Sequence, residues 1–166
     1  MDKLITSAML EMIHRNKGDK KRIEHSLKVF GYAQLLGRME GLSFERQFVL
    51  ELTAILHDIG ICVSEAKYGH SNGQLQEIEG PPVAREILER LQVNPEVTER
   101  VCFIVSKHHT FSAIDGIDFQ LLVEADFLVN AVEEEVSLEG VKKFVEMNFK
   151  TESGRRLIGK LFPQSK

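Results

Sequence analysis

Histidine and aspartate stand side by side at His57-Asp58, at the end of the apolar run LTAILHDIG, Leu52 to Gly60. Leu52, Ile55, Leu56 and Ile59 recur at helix-face spacing, so the pair is delivered where a helix meets a core. An ionised carboxylate removed from water without a partner costs several kcal/mol, so the position asks for a cation or a dense hydrogen-bond network. Neutral imidazole and carboxylate are both ligands for a divalent transition ion. Gly60 is placed to end or bend the helix just past the pair. Two more residues suit the same chemistry. His25 lies between Ile23 and Leu27 near the start of a helix, and Asp126 is flanked by Ala125, Phe127, Leu128 and Val129. A carboxylate in that run has few ways to stay ionised without a cation or strong donors. Each has a bland alternative: a half-buried helix histidine for His25, and for Asp126 a solvent face shared with Asn130. What sets them apart is their order, H…HD…D.

The elements that must position these residues read as helices. Leu4, Ile5, Ala8, Met9, Met12 and Ile13 give an amphipathic stripe over Lys3 to Arg15. After the turn Asn16 to Asp19, with Asp19 a candidate cap, a second helix runs from about Lys20 to Met39 and carries His25. A third is expected from Phe44 to Ile61, with His57-Asp58 near its end. Cys62 to Glu79 has weak periodicity and reads as a long loop, and Gly80-Pro81-Pro82 reads as the opening of a helix over Val83 to Leu91. Pro95 to His108, Asp118 to Glu134, Ser137 to Phe149 and Thr151 to Phe162 read as the remaining helices. No strand pattern competes with them. The fold class is all-α.

The 166 residues suit one domain with a sizeable core, and 43% hydrophobic with 28% charged residues is a globular balance. A net charge of −4 argues against general nucleic-acid binding. Two cysteines, Cys62 and Cys102, cannot build a disulfide framework. Neither end reads as a signal peptide, and no apolar run is expected to span a bilayer, so the expectation is a cytoplasmic protein without a membrane partner.

Around the four residues stand LHDIG at Leu56 to Gly60, EGPPVAREIL at Glu79 to Leu88, IVSKHH at Ile104 to His109 and LVEADFLVN at Leu122 to Asn130. With them, the series resembles the HD-domain superfamily of metal-dependent phosphohydrolases, from about His25 to about Glu134. The resemblance implies a single helical bundle over residues 1–166, with the motif region at about 20–135 and flanking helices at both ends. It implies one divalent ion (Mn, Fe, Co, Ni, Zn or Mg) on His25, His57, Asp58 and Asp126. Two neutral nitrogens and two carboxylates balance such an ion, and six-coordination leaves room for water and a phosphate oxygen. The implied reaction is attack of metal-activated water on the phosphorus of a nucleotide or other small phosphate ester. Asp58 would be the catalytic residue that orients or helps deprotonate that water.

Departures from the family pattern shape the rest. Some members hold two ions, using a histidine before the Gly80 helix and the HH element. Here Gln76 stands at that position and His70 lies on a Gly-rich stretch, while His108 and His109 match the HH element. One ion is therefore expected, with His108 and His109 at the pocket edge facing substrate phosphate. Many relatives carry lysine directly after HDIG; Ile61 stands here, so Lys67 or Lys107 is the candidate replacement. Glu65, Glu77 and Glu79 are candidates for a proton relay, and Gln76-Glu77 for a place near the pocket; for each, a solvated loop is the competing reading. The lone domain favours a small soluble substrate, and the GYP companion of cyclic-dinucleotide hydrolases is absent. A non-catalytic metal- or nucleotide-binding sensor, a non-hydrolytic enzyme on the same fold and a purely structural bundle are the alternatives. Homo-oligomers are compatible with all of them.

Overall fold

Polar caps and helix-period apolar residues divide residues 2–163, which the computed structural model describes, into helices, with no strand among the described residues. They are α1 Asp2–Arg15, α2 Lys20–Met39, α3 Phe44–Leu56, α4 Ile61–Tyr68, α5 Gly73–Arg90, α6 Pro95–Val105, α7 Ile117–Glu133, α8 Leu138–Asn148 and α9 Glu152–Leu161, with a 3₁₀ turn at Phe111–Ala113. Asp19 caps α2, Ser43 caps α3, Asn72 caps α5 and Asn94 caps α6, each side chain accepting from a backbone N–H in the first turn.

Helix α2 runs along both α3 and α7, while α3 also packs on α1 and α6, and α5 lies against α4 and α6. The core between them is apolar and closed: Leu36, Leu52, Leu56, Ile104, Phe119 and Leu121 have no exposed surface. At the other end Phe127 and Phe144 stack at 3.7 Å, and α9 is tied to α7 by Glu124. That carboxylate is fully buried and accepts from Gln120 Nε2 at 2.8 Å, Lys150 N at 2.7 Å, Thr151 N at 3.0 Å and the Thr151 hydroxyl. A buried carboxylate with this many donors is satisfied without a metal.

The structure corrects the sequence reading in five places. Residues 62–79 are not a loop: they form α4, ended by Gly69 at φ 76, and the first turns of α5. Pro81 and Pro82 do not open a helix but lie inside α5. Their missing N–H groups cost hydrogen bonds, and the burial of Gly80, Val83, Ala84, Ile87 and Leu88 on the inner face of α5 offsets that loss. The third helix stops at Leu56, five residues before Ile61, and the HD pair lies in the turn between α3 and α4. Helix α6 stops at Val105, leaving His108 and His109 in a second turn. An 18-residue window within Phe44–Tyr68 has mean hydropathy 1.4 and reaches the length and composition of a membrane helix, contrary to expectation, but 67% of that window is buried inside the fold. The His57–Gly60 turn breaks it in two.

Candidate metal centre

The turn that carries the HD pair lies against α5 with no side chain between them. A Cβ on Gly60 would lie 2.5 Å from Gly80 N and 2.8 Å from Gly80 Cα; one on Gly80 would lie 2.8 Å from Val105 Cγ1. Glycine at 60 lets the backbones of the turn and of α5 approach this closely, and glycine at 80 leaves room for the Val105 side chain of α6. Tightened bonds from Ile59 N to Leu56 O and from Ile61 N to Asp58 O then wind the chain out of α3 and into α4. Gly60→Ala is expected to cost about 1–3 kcal/mol, read as a lower urea midpoint, and to weaken metal binding because His57 and Asp58 must shift with the turn. An unchanged midpoint would remove this account of the glycine pair.

His57 sits at the end of α3 and His108 just past the end of α6, and they are held alike. His57 Nδ1 donates to Ala54 O at 2.9 Å, and His108 Nδ1 donates to Val105 O at 2.8 Å. A carbonyl only accepts, so both rings carry hydrogen on Nδ1 and turn Nε2 inward. The last-turn carbonyls of α3 and α6 also make this a place that favours positive charge. His25, from α2, bonds Glu133 through Nδ1 at 2.9 Å and presents Nε2 to the same space.

The inward atoms gather tightly. His25 Nε2 is 3.2 Å from Asp126 Oδ1 and 3.6 Å from Asp58 Oδ2; His57 Nε2 is 3.5 Å from Asp58 Oδ2 and 3.6 Å from Asp126 Oδ1. Atoms about 2.1 Å from a common ion and roughly a right angle to a tetrahedral angle apart lie about 3.0–3.5 Å from one another. The buried Nε2 atoms of His25, His57 and His108 and the Oδ1 of Asp126 have no hydrogen-bond partner in the protein. The orphaned atoms of His25, His57 and Asp126 meet at one place, and that of His108 faces the other oxygen of Asp58; such orphans fit a bound cation, since buried polar groups otherwise find partners. The donor set of imidazole nitrogen and carboxylate oxygen fits a divalent transition ion. The side chains of Asp58 and Asp126 keep 21% and 19% exposure, so the centre opens to solvent on their side.

The other expected site residues fall into two groups. His108 is not at a pocket edge: its side chain is 2% exposed and its Nε2 is 3.6 Å from Asp58 Oδ1, the carboxylate oxygen turned away from His25 and His57. A helix running to His108 would leave it at the edge; α6 stops at Val105 instead, and the turn beyond it aims the ring inward. His109 has its ring 4.0 Å from that of His108, and its Nε2 meets Gln76 Oε1 at 2.6 Å. Burial and the neighbouring His108 push the pKa of His109 down to about 4, so it is neutral and donates to Gln76. Asp58, His108 and His109 also offer three donor atoms within 4.8 Å of one another, and with its hydrogen on Nε2 the His109 ring keeps its lone pair on Nδ1. Glu77 accepts from His109 N at 3.0 Å and from the Thr110 hydroxyl, clamping α5 to the His108-His109 turn.

Lys67, Glu79, Glu65 and His70 stand apart. Lys67 lies on α4, and its ammonium is bonded to Glu79, which also accepts from Tyr68 OH at 2.8 Å. Glu65 is paired with Arg22, and His70 is exposed and turned to the Tyr68 carbonyl. The sequence reading missed Glu133, whose bond to His25 spans 108 positions of chain. Its seven-residue offset from Asp126 on α7, two helical turns, was the available signal.

A family model for the HD domain matches residues 22–146. Among solved structures, the chain is similar to a predicted HD superfamily hydrolase from an uncultured Thermotogales bacterium, with TM-score 0.67 and 20% identity over 96% of this chain and 83% of that one. At that identity the likeness concerns the fold. No curated protein matches the chain significantly.

Proposed function

The chain belongs to the HD-domain family, and from that premise we propose that it is a metal-dependent phosphohydrolase acting on a nucleotide or another small phosphate ester. The observation that carries this reading is the convergence of orphaned buried atoms from His25, His57 and Asp126 beside the half-open Asp58 carboxylate, whose other oxygen faces the orphaned Nε2 of His108. His25, His57, Asp58 and Asp126 would hold one divalent ion. When bound, that ion supplies Lewis acidity toward a phosphoryl oxygen and lowers the pKa of water.

The remaining steps fall to side chains of the chain. Asp58 has one oxygen, Oδ2, toward the two ligating imidazoles and the other, Oδ1, toward His108. Oδ1 is the atom that orients an attacking water and accepts its proton. His108 exchanges protons with the site only at Nε2, because Nδ1 is committed to Val105 O. In its protonated form, Nε2 donates to a phosphoryl or leaving-group oxygen. Gln76 and Glu77 hold the His108-His109 turn in register and act on substrate through it. Lys67, committed to Glu79, is not assigned to phosphate.

The test is phosphate release from a panel of nucleotides and simple phosphate esters, with protein stripped by chelator and reloaded with manganese. Activity that vanishes on chelation and returns with metal supports the reading. Tight nucleotide binding with no turnover by metal-loaded protein would replace it with the sensor.

A further inference from the structure

Glu133 ends α7 and reaches across to α2, where one carboxylate serves two residues of the same helix face. Its Oε2 accepts from His25 Nδ1 at 2.9 Å, and its Oε1 accepts from Lys28 Nζ at 2.8 Å. The other two inward histidines turn Nδ1 to a neutral carbonyl; His25 alone among them turns it to a charged group. We infer that Glu133 is a positioning residue of the metal centre, fixing the ring and donor strength of His25, with Lys28 setting how much of its charge reaches that ring.

This rests on the reading of the cluster as a metal centre. A carbonyl acceptor fixes a tautomer. A carboxylate also pulls on the Nδ1 proton, which makes Nε2 a better electron-pair donor. Lys28 draws the same carboxylate the other way from a half-exposed position, 51% open to solvent at its side chain. His25 therefore has a control that His57 and His108 lack, and it ends in an ion pair at the surface. No atom of Glu133 or Lys28 needs to touch substrate for this to work.

The experiment is calorimetric titration of Mn²⁺ into chelator-stripped protein, with thermal unfolding of the stripped protein alongside. Glu133→Ala removes both acceptor and charge and is expected to weaken binding about 10–100-fold. Glu133→Gln keeps an acceptor for the Nδ1 hydrogen without the charge, so it recovers part of that loss. Lys28→Met leaves Glu133 uncompensated and is expected to tighten binding; in the Glu133→Gln background the same change has little effect, because its route through the carboxylate is gone. If Glu133 only braces α7 on α2, the variants lower the unfolding midpoint and leave the Kd of the folded protein unchanged, which overturns the inference. Wild-type protein that binds no Mn²⁺ overturns the metal centre itself, a distinct result.

Discussion

Asp58→Ala is expected to lose bound metal, from about one ion per chain to background, and to lose at least ~10³-fold in phosphate release, the equivalent of about 4 kcal/mol of transition-state stabilisation. Two roles fail together. Oδ2 is the carboxylate oxygen closest to both His25 and His57, at 3.6 and 3.5 Å, and Oδ1 is the one that faces His108 at 3.6 Å. Asp126→Ala removes the orphaned Oδ1 that faces the two histidines but leaves Asp58 in place. It is expected to cost metal affinity, with some activity regained at high metal concentration; Asp58→Ala is not rescued that way. Neither change should unfold the chain, since the residues lie at a half-open centre and not among the closed contacts of Leu52, Leu56 and Phe119. Metal content by plasma emission and circular dichroism on the same samples decide it. Metal retained in Asp58→Ala would falsify the ligand set.

The helical class and the four central residues were legible because each is locally odd: a carboxylate inside an apolar run or an imidazole on an apolar stripe needs an explanation wherever it occurs. The H…HD…D order did the rest. Less legible were features that depend on two helices meeting. The span 62–79 looked like a loop because α4 is short and because Pro81-Pro82 resembles a helix start. What α5 buries at Gly80, against the Gly60 turn and Val105, no local pattern records. His108 was read as an edge residue for the same reason. Its inward aim follows from the end of α6 at Val105 and a bond back to that residue's carbonyl. The bland reading of Asp126, a solvent face shared with Asn130, fails because α2 brings His25 to within 3.2 Å of it. Lys67 went the other way: free on a loop in the sequence, it is held by Glu79 in the fold.

The pH dependence of metal binding follows from what balances the carboxylates when no ion does. Burial lowers the pKa of His57, but the charges of Asp58 and Asp126 outweigh it and raise the ring to about 9. Burial likewise opposes protonation of His25, and Asp126 again outweighs it. Asp58 and Asp126 are correspondingly held below the ordinary carboxylate range, despite burial that favours their neutral forms, by the charges of the imidazoles beside them. The stripped centre is thus an imidazolium–carboxylate cluster. A group whose folded pKa exceeds its unfolded value of 6.5 stabilises fully below that value, and the contribution is lost as pH rises through about 9. Stripped protein should therefore melt lower as pH climbs through this window. Metal binding runs the opposite way, because an ion needs the Nε2 lone pair and must displace the proton. Affinity is expected to rise about 10-fold per pH unit between about pH 6.5 and about pH 9 for one displaced proton, and more steeply if His25 releases one too. The two trends make the metal-induced rise in melting temperature grow with pH even as the stripped protein weakens. A Kd for Mn²⁺ that stays flat between about pH 6.5 and about pH 8.5 would mean the imidazoles are already neutral, and that something other than protons holds Asp58 and Asp126 beside each other.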